Sequence, residues 1–283
     1  MYPRIIIDLE KFRKNLRHLL DECHKRNITM MAVSKVFCAD HKLINILNEE
    51  RVDFIADSRI QNLKGIASSI PKVLLRLPRL GEVPDVVKYT SISFNSEMET
   101  IRSLDKEAKK INVKHGVILM IDLGDLREGI FEEKEVFETV EKVLKLDNIK
   151  LRGIGTNLTC YGGVIPTVDV LQKLVDYKKK IEEIHKIKLD IVSGGNSSTI
   201  EMLLENQIPA GINNLRLGES VVLGRETAYG NYIDFMYNDV FTLEADIIEL
   251  KQKPCVPIGQ IGMNAFGKIP VFKDKGKIFR AIL

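Results

Sequence analysis

Hydrophobic positions along this chain fall in short β-branched runs that alternate with longer stretches in which apolar residues recur every three or four positions. The short runs predict strands and the longer stretches predict amphipathic helices. Ile5-Ile6-Ile7 comes first. It leads into a helix that Asp8 can cap, with Phe12, Leu16, Leu19, Leu20 and Cys23 on one face. Eight strands are then expected, at residues 30–34, 53–56, 73–77, 91–94, 117–121, 151–155, 189–192 and 214–217. Helical patterns at 41–50, 96–110, 133–146 and 167–186 fill the longer gaps. Strands that are continuously apolar and alternate with helices imply a parallel sheet covered on its faces. Eight such units predict an α/β fold, a closed (β/α)8 TIM-type barrel. An open, doubly wound sheet is the alternative.

From about Val240 the texture changes. Residues 241–250 (FTLEADIIEL) read as a strand, and Pro254, Pro257, Gly259, Gly262 and Gly267 follow as turn signals, with no further long helical pattern. The expected organisation is a barrel over 1–238 and the start of a C-terminal all-β domain over 239–283. The N-terminal segment 1–28 is expected to contribute to that β domain. Residues 279–283 read as an unfinished strand, so the sequence is expected to be truncated relative to a complete protein.

The 283 residues, 45% of them hydrophobic, suffice for one large core with an appendage. The net charge of +3 gives no electrostatic reason to expect nucleic acid. The run Lys178-Lys179-Lys180 reads as a solvated helix face. Cys23, Cys38, Cys160 and Cys255 form no CxxC pair, so neither a metal site nor a disulfide framework is expected. Free thiols suit a reducing compartment, and a cytoplasmic location is expected. The first ten residues hold only a three-isoleucine run, too short for a signal-peptide core. No apolar stretch approaches the roughly 18 residues of a membrane span.

A barrel of this kind carries its reactive groups at the C-terminal ends of its strands. Read in order, those ends present Lys35, then Asp57-Ser58-Arg59, Arg76, Asn95, the loop 122–129, Asn157, residues 193–198 (SGGNSS), and Arg216 with Gly218. Lys35 follows the apolar run Met30-Met31-Ala32-Val33. It either snorkels to the rim or is used, and a desolvated amine there has a lowered pKa and attacks aldehydes. The glycines and serines of 193–198, with 217–220 (LGES), suggest a phosphate site in two pieces or, more plainly, two glycine turns. Arg216 shares one side of its strand with Gly218. Arg127 can clamp a carboxylate in a fork or pair with Asp125 or Glu128. Asn157 can touch a ligand ring or cap a strand end. Cys38, Cys160 and Tyr161 lie near the mouth by position only.

These residues carry a resemblance. Ala32-Val33-Ser34-Lys35, the loop 122–129 (DLGDLREG), residues 153–157 (GIGTN), the SGGNSS segment and 215–224 (LRLGESVVLG) resemble, in order, the motifs of the alanine-racemase-like family of fold-type III pyridoxal-phosphate (PLP) enzymes. The resemblance runs from about residue 4 to 250. It implies a Schiff base between PLP and Lys35. It implies Arg127 on the cofactor's phenolic oxygen and the substrate carboxylate, and phosphate held by Asn196, Ser197, Ser198 and the amides of Gly218 and Glu219. Arg216 would face the ring nitrogen and keep it unprotonated, which favours proton exchange at Cα over decarboxylation or transamination. Asn157 stands where many members place a histidine over the ring. Ala39 replaces a tyrosine found four residues after the lysine in alanine racemases, and Met120 replaces a lysine that is often carbamylated. The pattern is closer to the ornithine and broad-specificity racemase branch.

The expected function is therefore PLP-dependent racemisation of ornithine or another basic amino acid, with Lys35 moving the Cα proton on one face. In alanine racemases a tyrosine of the partner subunit serves the other face, which implies a homodimer. Here that region would lie beyond Leu283. The alternatives are a non-catalytic PLP-binding homeostasis protein, an alanine racemase, and an aldolase-type barrel that uses Lys35 without PLP.

Overall fold

The computed structural model describes residues 3–283. Strand β1 (Arg4–Ile7) leads into α1 (Leu9–His24), and the Asp8 carboxylate starts that helix by accepting the amides of Glu10 and Lys11 at 3.1 and 3.0 Å. The stripe Phe12, Leu16, Leu19, Leu20 and Cys23 is buried. Full burial of each leucine contributes about 2 kcal/mol relative to exposure.

Eight parallel strands follow and close into a barrel. The first half runs β2 (Thr29–Val33), α2 (His41–Glu49), β3 (Phe54–Asp57), α3 (Ile60–Gly65), β4 (Lys72–Leu74), α4 (Val83–Tyr89), β5 (Ile92–Asn95) and α5 (Met98–Lys110). The second half runs β6 (His115–Met120), α6 (Glu133–Leu144), β7 (Ile149–Gly155), α7 (Val168–His185), β8 (Ile191–Ser193), α8 (Ile200–Leu204), β9 (Asn214–Leu217) and α9 (Glu219–Leu223). The ring closes where β2 pairs with β9, Met31 opposite Arg216. All eight barrel strands read from the sequence are present, with ends moved by a few residues. The largest change is at β4, which stops at Leu74 because the chain leaves the ladder ahead of Pro78.

Strand alternation fills the barrel. Met31 and Val33, Ile92 and Phe94, and Ile118 and Met120 join Ala56, Val73 and Ile191 in one buried cluster. Between β6 and β7 the register shifts, Val117 facing Leu151 and Ile118 facing Gly153, so Arg152 is an extra residue. Gly153 is required there: a Cβ would lie 1.8 Å from the Ile191 carbonyl oxygen.

The chain divides into two compact units, one spanning Asp8–Val240 and the other joining the segment before Asp8 to Phe241–Leu283. In the second unit β1 pairs antiparallel with β10 (Phe241–Glu244), and Arg4 Nε donates to Glu244 Oε2 at 2.8 Å. Strand β11 (Glu249–Pro254) pairs antiparallel with β12 (Lys277–Ile282). Of the N-terminal residues, β1 falls in this unit and α1, whose apolar stripe is buried, falls in the barrel unit. One expectation needs correction. The strand expected over 241–250 is interrupted after Glu244, since β1 offers only four pairing residues.

Candidate active site

The C-terminal strand ends surround a cavity of about 890 Å³. Lys35, Arg76, Arg127, Asn157, Asn196, Ser197, Arg216, Gly218 and Glu219 all line it. Ser198 does not. It is buried behind the wall, its amide donates to Asn196 Oδ1 at 2.8 Å, and its hydroxyl has no hydrogen-bond partner. Among the positions given bland readings, Cys160 reaches the cavity, while Cys38 and Tyr161 are exposed outside it.

Lys35 does not continue its strand. The chain bends after Val33 into a single 3-10 turn over Ser34–Phe37, and Cys38 and Ala39 then adopt φ of 51° and 54°. Buried Ser34 anchors that turn by donating its hydroxyl to Asp57 Oδ2 at 2.7 Å. Asp57 also accepts from the Arg59 amide and from Asn62 Nδ2. Of the two readings the sequence leaves open, rim or core, the structure has the rim: the Lys35 side chain is exposed and lines the cavity.

One wall is made of strand ends. After β8 the chain turns at Gly195, whose φ is +131° and where a Cβ would meet Thr199 Oγ1 at 2.4 Å. Only glycine adopts that turn without strain. The Ser197 hydroxyl lies 3.1 Å from that of Ser220 and accepts the Ser220 amide at 3.3 Å, which joins the β8 turn to the start of α9. Arg216 rises from β9 and is 6% exposed. Its Nη1 donates to Ser193 Oγ at 2.7 Å, and its Nη2 donates to the Thr156 carbonyl at 2.7 Å and to Asn157 Oδ1 at 3.2 Å. Its guanidinium carbon sits 5.3 Å from the centre of the Phe94 ring. No carboxylate among the described residues forms an ion pair with it. Burial pulls its pKa down to about 10, so it remains a cation at neutral pH.

The facing wall is made of loops. Asp122 Oδ1 accepts the amides of Gly124 and Leu126, and Leu126 and Gly129 take positive φ of 56° and 119°. This folding turns both Arg127 and Glu128 toward the cavity. Arg127 Nε and Nη2 both donate to the Glu128 carboxylate, the second at 2.9 Å, and that pairing holds the guanidinium above its ordinary pKa. Asp125 is the partner of other groups. It is buried, and its carboxylate accepts the amides of Tyr161 at 3.0 Å, Gly162 at 3.1 Å and Val164 at 3.3 Å, tying the loop after β6 to the loop after β7.

Asn157 connects the two walls. Its Oδ1 accepts from Arg216 Nη2 and from Asn196 Nδ2, the latter at 2.9 Å, and its Nδ2 donates to Glu128 Oε1 at 3.2 Å.

Sequence reasoning missed one part of the lining, the loop from Arg225 to Gly230. Glu226 is 1% exposed, and its carboxylate accepts the amides of Ala228, Tyr229 and Asn231. This staple holds Tyr229 at the cavity wall. An acid followed by Thr-Ala-Tyr-Gly resembles an ordinary turn, so only the buried carboxylate marks the loop. Among the described residues no cluster of His, Cys, Asp and Glu is suited to a metal ion, and no helix is long and apolar enough to cross a membrane.

The family description "alanine racemase, N-terminal domain" matches residues 7–226. An ornithine racemase of Acetoanaerobium sticklandii is 50% identical over the whole of this chain and 80% of its own length. A lysine racemase of Thermotoga maritima is 36% identical over the whole of this chain and 79% of its own length. An alanine racemase structure from Clostridium difficile 630 superposes with a TM-score of 0.69 at 22% identity, over 99% of this chain and 72% of that one, and speaks for the fold alone.

Proposed function

The chain belongs to the family of the alanine racemase N-terminal domain, and from that premise we propose that it is a PLP-dependent amino-acid racemase acting on ornithine or another basic amino acid. The observation that carries the reading is one cavity that gathers a lysine from the end of β2, a glycine–serine turn from β8 and an arginine with a glycine from β9. The basic side chain of the substrate rests on the two relatives, an ornithine and a lysine racemase.

The donor set fits a phosphorylated pyridine aldehyde. Lys35 offers a primary amine without an acidic partner among the described residues. The turn after β8 presents Asn196 and Ser197 to the cavity, and the start of α9 presents Gly218 and Glu219 beside them. When bound, PLP supplies an aldehyde that takes up amines and a ring that draws electrons from Cα. Lys35 Nζ would hold the cofactor and would move the substrate Cα proton on one face. Asn196, Ser197 and the amides of Gly218 and Glu219 would hold the phosphate. Arg216, a buried cation fixed by three hydrogen bonds, would face the ring nitrogen and oppose its protonation, which limits electron withdrawal and favours simple proton exchange. Arg127 would take the substrate carboxylate in its fork. Asn157 would lie beside the ring between the two arginines.

The four free cysteines suit a reducing, cytoplasmic setting, and a homodimer is the assembly this reading carries. Light scattering coupled to size exclusion tests the dimer.

Purified protein mixed with PLP is expected to develop a visible absorbance band that Lys35→Ala abolishes. In heavy water L-ornithine is expected to lose optical rotation and take up deuterium at Cα, with a rate roughly 1,000-fold lower in Lys35→Ala. A protein that stays colourless with PLP, or that exchanges no basic amino acid, overturns the reading.

A further inference from the structure

We propose that Glu128 is a positioning residue, the anion that holds Arg127 at two points and, through Asn157, ties that guanidinium to Arg216. The inference rests on the racemase reading, in which the two arginines face substrate and cofactor.

Three observations lead to it. The first is burial: the Glu128 side chain is 19% exposed against 44% for Arg127. The carboxylate is therefore the less exposed partner, which is unusual for two adjacent residues on a surface loop. A carboxylate withdrawn from water needs a charged partner and a full set of donors. It has both here, two donors from Arg127 and one from Asn157 at 3.2 Å.

The second is backbone geometry. Successive side chains ordinarily point apart, yet Arg127 and Glu128 both line the cavity. The loop achieves this with left-handed φ at Leu126 and at Gly129, and a Cβ at Gly129 would lie 2.7 Å from the Asp122 amide nitrogen. A non-glycine residue in that region costs conformational energy, and such strain collects at functional sites.

The third is connectivity. Each half of the Asn157 amide is used, the carbonyl by Arg216 and Asn196 and the amino group by Glu128. A continuous line of hydrogen bonds thus runs from Arg127 through Glu128 and Asn157 to Arg216 and on to Ser193. Arg216 has no ion-pair partner of its own, so Glu128 is the negative charge on this line that offsets both cations.

The test compares PLP-loaded wild type with Glu128→Gln and Glu128→Asp. Glutamine keeps the shape and the Asn157 bond but removes the charge. Aspartate keeps the charge but shortens the arm. Fold is checked by the urea midpoint. In Glu128→Gln the KM for L-ornithine is expected to rise about tenfold or more with a smaller change in kcat, as befits a weakened carboxylate clamp. The pH midpoint of the cofactor's absorbance change, measured without substrate, is expected to fall by about half a unit or more, because a lost anion favours deprotonated neighbours. In Glu128→Asp the absorbance midpoint is expected to stay at the wild-type value while KM rises. A folded Glu128→Gln protein with wild-type KM and wild-type titration overturns the proposal. Where glutamine prevents folding, wild-type KM in Glu128→Asp overturns it instead. A wild-type protein that shows the PLP band but racemises no basic amino acid refutes the substrate reading alone, and the absorbance titration still decides the role of Glu128.

Discussion

The cavity has two walls, each presenting an arginine, and they are built on opposite principles. Arg216 stands on a barrel strand, is buried, and is fixed by neutral acceptors and an aromatic ring. Arg127 stands on a loop, is exposed, and is fixed by a carboxylate one residue away. On the strand wall position comes from the closed sheet, and the side chain shares in the stability of the core. On the loop wall position comes from ion pairing and turn geometry, and the barrel owes it little. The two arginines therefore differ in what their loss should damage.

The sharpest break is Arg216→Met. It removes the donor to three acceptors, two of them within the buried strand ends, and is expected to destabilise the fold by about 3 kcal/mol in urea denaturation. A loss below about 1 kcal/mol contradicts the view that Arg216 is built into the core. Arg127→Met is the counterpart. Its stability change should be smaller, about 1 kcal/mol, because only the partly buried Glu128 carboxylate loses its partner, while kcat/KM falls about 100-fold. Gly195→Ala is expected to cost about 1–3 kcal/mol through its left-handed φ and its contact with Thr199, and to weaken PLP binding measured by absorbance titration.

The smallest effect concerns pH. His115, at the start of β6, is 1% exposed, with Nε2 2.8 Å from Ser93 Oγ, and burial holds its pKa down to about 4. A group depressed in the folded state contributes stability that is complete above its unfolded pKa near 6.5. That stability is lost as pH falls from about 6.5 toward about 4, by up to roughly 1.4 kcal/mol per unit. His115→Gln should flatten the stability profile in that window, and an unchanged slope removes His115 from the account.

The strand wall was largely legible in the sequence, because a barrel sends whatever follows each apolar run to one mouth. Lys35, Arg216 and the Asn196–Ser197 turn could be found by counting strands. The loop wall was legible only as a motif. Whether Arg127 met Asp125 or Glu128 depended on two left-handed residues whose φ no periodicity reports. Which serine of the pair reaches the cavity was not legible for a similar reason: the turn at Gly195 presents Ser197 and buries Ser198. The loop from Arg225 to Gly230 escaped notice because its anchor is a buried glutamate, and burial of a charged side chain is a property of the folded neighbourhood. The choice between rim and core for Lys35 stayed open in the sequence because a single 3-10 turn at a strand end leaves no sequence period.

Asp125 carries a mechanical consequence. Its one carboxylate grips three amides of the neighbouring loop, so the two loops of that wall cannot loosen one at a time. A displacement of the backbone at Asp125 is thereby passed to the backbone around Tyr161 through three bonds at one point.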